Sequence, residues 1–219
     1  MKILFMWPLI SLAMTLSAQE VTLGTQTWKG LNLDVITLND GTPLVEAKDH
    51  IQWRKANREH RPAYAFMNFD PALGAKYGRV YNWWAASDPK IAPAGWHVPT
   101  KPEYETLIAY LGGPQQACLR LKAKSNVGSG SDEKASDSTL RGWNGLPGGT
   151  GNDGVYSGNI NMKYGWWVGG WWTTSKFHQS GQSAPHYFVI SSNVSAGSHD
   201  AHVDVTCDEC AMSIRCVKN

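Results

Sequence analysis

Residues 78–111, GRVYNWWAASDPKIAPAGWHVPTKPEYETLIAYL, carry the densest packing and capping signals in the chain. Thr100 and Glu103 stand in capping-box spacing, at which the hydroxyl accepts from the amide of residue 103 while the carboxylate reaches back to the amide of residue 100. That box predicts a helix beginning at Lys101. Tyr104, Leu107, Ile108 and Leu111 follow at i, i+3, i+4 and i+7, one apolar stripe facing a core, before Gly112 and Gly113 end the helix and Pro114 opens another. Upstream, Val80, Tyr81, Trp83 and Trp84 predict a short bulky helix, and Trp96, His97 and Val98 a brief strand between the two.

Toward the N-terminus, residues 21–38 alternate apolar and polar around Gly24-Thr25, a strand pair or bent strand with Trp28, Leu31 and Leu33 facing inward. Asp40 to Pro43 is a turn. Residues 46–62 are charged, with Trp53 the one ring expected inside, and suit a short surface helix; the basic run there reads as a solvated face. Residues 63–69 return to an apolar pattern ahead of a turn at Pro71. The first eighteen residues combine Lys2, an apolar run and a small-residue end, which predicts a signal peptide cleaved after Ala18. A membrane anchor is the competing reading, but the run is short and no later stretch would span a bilayer. Residues 19–219 then form one domain.

Toward the C-terminus, Ala117, Cys118 and Leu121 keep helical spacing to about Lys124. Residues 125–138 are a flexible loop, and residues 142–158 run turn upon turn, with Trp143, Leu146, Val155 and Tyr156 as inward anchors. GWWVGGWWTTS at 165–175 reads as strand, turn, strand, in which alternation buries one of Trp171 and Trp172 and leaves the other more exposed. Tyr187 to Ile190, His202 to Val205 and Met212 to Val217 are further strands. Strands, helices, loops and strands in that order predict an α+β fold, an antiparallel sheet with two to three short helices and a long loop-rich region.

Twenty basic and eighteen acidic residues give a formal charge of +2, with no basic block dense enough to follow a phosphate backbone, so nucleic acid is not an expected partner. Eleven tryptophans, all but Trp7 beyond the expected cleavage site, point to a core of large rings joined by irregular loops. Four cysteines in an exported chain allow three pairings. A local bridge between Cys207 and Cys210, with Cys118 to Cys216 closing a long loop, is the first expectation. Zinc on Cys207, Cys210 and His199 or His202 is a rival that the oxidising compartment disfavours. A thioredoxin-like role needs the pair at a helix N-terminus, and β-type neighbours argue against that.

No cofactor or metal is expected. His202 and Asp204 share a strand face, a pattern that suits an exposed polar face better than a metal site. Asn152-Asp153-Gly154 lacks the ligand count for calcium. His97 reads as a hydrogen-bonded core histidine. Glu103 is explained as a cap, so Glu103 and Glu105 are not the facing pair of a glycosidase. The aromatics carry the functional reading. Tyr156, Tyr164, Trp166 and Trp167, with Asn152 and Asp153 as polar partners, supply flat faces and hydrogen-bonding groups of the kind that hold a sugar ring.

GTQTWKGLNL, the DGTP turn, PAYAFMNFD, YGRVYNWWAA, APAGWHVPTKPEYETLIAYLGG, GLPGG, GWWVGGWWTTS and SIRCVKN resemble, in the same order, the Fibrobacter succinogenes major paralogous domain. The resemblance covers essentially the whole mature chain. It implies a C-type-lectin-like or formylglycine-generating-enzyme-like fold and a secreted or surface-attached bacterial domain that binds a glycan or cell-surface component. A structural module of a surface assembly, with rings buried against a partner protein, is an alternative, and an enzyme on the same scaffold is another. The chain departs from the family by carrying Ala92 where a cysteine before the GWH turn is common. It also lacks the sugar motifs of calcium-dependent lectins and the active-site cysteine pair of the enzyme branch.

Overall fold

The computed structural model describes residues 20–122, 142–148, 166–193 and 197–219; within β-strands, the side chains of Trp166, Trp167 and Asn193 lie outside that description. The chain opens with β1 (Glu20–Leu23) and β2 (Gln26–Lys29), antiparallel around a left-handed Gly24. Then come β3 (Val45–Glu46), α1 (His50–Arg58), β4 (Ala63–Phe66), α2 (Pro71–Tyr77), β5 (Arg79–Tyr81), α3 (Trp83–Ala86) and β6 (Trp96–His97). The helices α4 (Lys101–Tyr110) and α5 (Pro114–Leu121) follow, and β7 (Trp166–Gln179), β8 (Gln182–Asn193), β9 (Ser198–Val205) and β10 (Val217–Lys218) complete the chain. The described residues thus hold five α-helices, more than the two or three expected.

The strands form three small sheets, β1-β2-β10-β6, β3-β4-β5 and β7-β8-β9, antiparallel except for the β3–β4 pair. The capping box is complete: the Thr100 amide donates to Glu103 Oε2 at 2.7 Å and the Glu103 amide to Thr100 Oγ1 at 3.4 Å. The stripe it launches, Tyr104, Leu107, Ile108 and Leu111, is buried throughout. It packs with Trp28, Trp143, Trp171 and Phe188 in one cluster, where α4 and α5 cover β8 and β9. A second cluster on the other side of the sheet gathers Tyr81, Trp83, Trp96, Trp172, Met212 and Cys216. A third gathers Trp53 and Ala56 of α1 with Ala63, Ala65 and Val80.

Several expectations are corrected. Val80 and Tyr81 lie in β5, and only from Trp83 does the chain turn helical, because Asn82 Oδ1 accepts from the Ala85 amide as an N-cap and also from the Ala63 amide of β4. Pro71 starts α2, with Asp70 accepting from the Ala72 amide. Leu31 is 48% exposed instead of inward. Residues 166–179 make one long strand with a bulge after Trp172, and the turn comes at Ser180-Gly181, both left-handed. Trp171 and Trp172 do point to opposite faces, yet both are fully buried, since each face of the sheet has its own cluster to fill. At the C-terminus the regular strand shrinks to Val217–Lys218, with single bridges from Met212 to Tyr81 and from Ser213 to Trp171.

Candidate functional site

The polar centre of the structure is Arg215, which is wholly buried among neutral acceptors. Its Nε and Nη2 donate to Asn32 Oδ1 at 3.1 and 2.6 Å, and its Nη1 donates to the carbonyls of Gly30 at 2.6 Å and Lys29 at 3.2 Å. Nη2 also reaches Asn144 O at 3.4 Å, and the guanidinium lies 4.7 Å from the centre of the Trp143 ring. Burial pushes the guanidinium down to about 10, still charged at neutral pH. Asn32 shares the same oxygen with Trp171 Nε1 at 2.9 Å, while its amide donates to Ser213 Oγ. One side chain from β2's exit and one from the chain's end therefore hold Trp143, Asn144 and Trp171 together.

Those residues bracket positions 149–165 in the chain. Residues 142–148 are pinned on one side by Arg215 and on the other by α5, where the Gly145 amide donates to Leu121 O at 3.0 Å. Gly169 lets β7 pass close: a Cβ there would meet the Trp171 ring at 2.6 Å and Leu146 O at 2.8 Å. Of the predicted ligand residues, Asn152, Asp153, Tyr156 and Tyr164 lie outside the described residues. Trp166 and Trp167 open β7 opposite Asn193 and Ser192, their backbones placed and their side chains outside the description.

Cys207 and Cys210 are joined to each other, so their sulfurs are spent on that bond and offer no thiolate to zinc. The expected Cys118–Cys216 bridge is not formed. Cys118 lies on α5 in the first cluster, its Sγ donating to Ser191 O at 3.3 Å, and Cys216 sits in the second cluster. Burial pushes the Cys216 thiol up to about 12.

Of three polar groupings, the sequence offers His202 with Asp204 on an exposed strand face and His97 as a hydrogen-bonded histidine, but not their further partners, nor the grouping around Ser192. Lys122 Nζ donates to Ser192 Oγ at 3.1 Å, and Ser192 Oγ is 2.8 Å from His199 Nδ1, so His199 serves the inner face of β9. On the outer face, His202 Nδ1 is 2.6 Å from Asp200 Oδ2, without hydrogen-bond alignment, and His202 Nε2 is 4.0 Å from Asp204 Oδ2. Asp200, two residues before His202, was the available signal for that stripe. His97, more open than a core histidine, bridges Glu103 Oε1 at 2.8 Å and Asn219 Oδ1 at 2.7 Å. Burial pushes the Glu103 carboxyl up, but the Thr100 amide and hydroxyl together with His97 outweigh it and leave it below its ordinary value. Glu105 turns away to Lys101, 3.4 Å distant. A surface ring pair also escaped notice: half-buried Trp84 stacks on exposed His60 at 3.8 Å, with Lys176 Nζ 5.9 Å from the indole.

The described residues form a mixed α/β domain of three small sheets and short helices, in which a buried arginine ties residues 142–148 to β7 through Asn32. Residues 21–218 match the model of the Fibrobacter succinogenes major domain, and the chain belongs to that family. No curated protein and no solved structure matches it. No helix among the described residues is long and apolar enough to cross a membrane.

Proposed function

We propose that this is an exported, non-catalytic binding domain of C-type-lectin-like arrangement, whose ligand is a glycan or another cell-surface component held by residues 149–165 and the start of β7. The observation that carries the reading is the pair of anchors. Trp143 before this segment and Trp171 after it are fully buried and joined through Arg215 and Asn32. Five tryptophans of the scaffold, Trp28, Trp53, Trp143, Trp171 and Trp172, are consumed in packing, all at 0% exposure. The segment they bracket is rich in Gly, Asn and Tyr, the mixture that gives binding loops rigid rings and adaptable hydrogen bonding. Some of the described polar groups that could serve an enzyme have structural work instead. Glu103 and His97 close a helix cap, and Ser192 is 1% exposed.

The test pairs a glycan array with thermal melts for the wild type, Trp166→Ala and Trp167→Ala. A stacking ring should cost about 1 to 3 kcal/mol of binding when removed, with the melting temperature near wild type. Large drops in melting temperature for both variants would make these rings structural and end the assignment of the site.

A further inference from the structure

We propose that the Cys207–Cys210 cystine is a thiol–disulfide exchange site, attacked at Cys207 by an external dithiol, and that the acids inside its ring discriminate against anionic thiols. The ring follows β9 directly, where the Thr206 amide is fixed to Pro185 O at 3.0 Å. Cys207 is exposed, whereas Cys210 is 0% exposed and packs in the second core cluster. An incoming thiolate must approach in line with the sulfur–sulfur bond from the open side, so Cys207 Sγ is the atom it can reach. The sulfur that leaves is then Cys210 Sγ. Thr206 Oγ1 stands 3.0 Å away and donates to it, in position to stabilise the thiolate as it forms.

The chemistry balances with a dithiol as the reductant. The first thiolate forms a bond to Cys207 Sγ as the Cys207–Cys210 bond breaks, and Cys210 takes the electron pair and then a proton. The second thiol of the same reductant attacks its own sulfur in the mixed disulfide and releases Cys207 as the second thiol. The dithiol is oxidised by two electrons and the cystine is reduced. This mechanism requires no helix N-terminus, the feature whose absence argues against a thioredoxin-like catalyst; it needs one open sulfur and one supported leaving group.

Two further features shape the site. Asp208 and Glu209 lie between the cysteines in the chain, so an approaching anion meets two carboxylates carried by the same four-residue turn. The ring is also held from beneath, since the fully buried Trp53 donates from Nε1 to Glu209 O at 2.8 Å, which keeps the turn in place while the sulfurs exchange. Exchange is confined to this pair because Cys118 and Cys216 are buried at 0% and 1% exposure. The partner that fits is a protein or small molecule with a neutral or basic dithiol. The inference stands apart from the ligand reading and survives or fails without it.

The test exposes the folded protein to dithiothreitol, quenches with acid, alkylates and maps peptides. Cys207 and Cys210 should become alkylated under native conditions while Cys118 and Cys216 label only after unfolding. Brief exposure of the wild type to cysteamine, quenched the same way, should place the adduct on Cys207. Asp208→Asn with Glu209→Gln, which keeps the cystine, should raise the glutathione rate relative to cysteamine by about threefold at low salt. Reduction only in denaturant, an adduct first on Cys210, or an unchanged rate ratio in the double variant would each overturn the proposal.

Discussion

Replacing Arg215 by lysine keeps the charge and should still be among the most damaging conservative changes in the chain. The guanidinium spreads its donors over Asn32 Oδ1, Gly30 O, Lys29 O and Asn144 O while lying against Trp143. An ammonium presents three donors from one point. It can serve Asn32 and Gly30 together, but it gives up the fork to Asn32, the longer contacts and the flat stacking on the indole. Losing about two hydrogen bonds to a charged group, at roughly 1.5 to 3 kcal/mol each, sets the cost at about 3 to 6 kcal/mol. Arg215→Met removes the buried cation along with its bonds. Because every partner is neutral, no carboxylate is stranded, and relief of the desolvation of the cation offsets part of the loss. Methionine should therefore cost no more than lysine. Urea unfolding with an unchanged m-value measures both. A lysine variant within about 1 kcal/mol of wild type, or a methionine variant several kcal/mol worse than lysine, would refute the view that the cage is tuned to the shape of the guanidinium and merely tolerates its charge.

Two further outcomes are expected. Gly169→Ala should cost about 1 to 3 kcal/mol or more, because the new Cβ meets a packed ring and a backbone carbonyl, whereas Gly148→Ala, meeting only Ser213 Oγ at 3.4 Å, should melt near wild type. Glu103 has a folded pKa below its ordinary 4.5, so it binds fewer protons folded than unfolded; its contribution is present above that value and lost as pH falls through the folded one. The melting temperature of Glu103→Gln should thus lie below wild type at pH 7 and converge with it toward pH 3; parallel curves would remove Glu103 from the acid dependence.

What was legible in the sequence is what closes over a few residues. The Thr100–Glu103 box, the stripe behind it and the turn between β1 and β2 all find their partners locally, and each is present. The failures share a different cause. Gly169-Gly170 resembles a turn until Leu146, far back in the chain, is seen to need the space. Val80 to Trp84 resembles one helix until Asn82, gripped by β4, divides it. Asn32 and Arg215 sit 183 positions apart, and neither residue type announces the other. The cysteine count suggested a long bridge because counting ignores which cluster a thiol faces.

The same limit governs the candidate site. Alternation along β7 separated Trp171 from Trp172 correctly, but the inference that one of them is exposed assumed a wet face at β7, and around these two residues the sheet is covered on both sides. Residue type therefore does not divide ligand rings from core rings in a chain so rich in tryptophan; only the packing does. Trp84, on which no sequence argument placed a surface role, keeps part of its ring open beside His60 and Lys176. Trp143, one turn away from the proposed ligand segment, is closed entirely and spends its face on Arg215. A ring that answers to a buried cation is unavailable to a sugar. In the proposed reading the ligand segment starts and ends at residues that Arg215 and Asn32 hold, so a change at either should reach the ligand through Trp143 and Trp171.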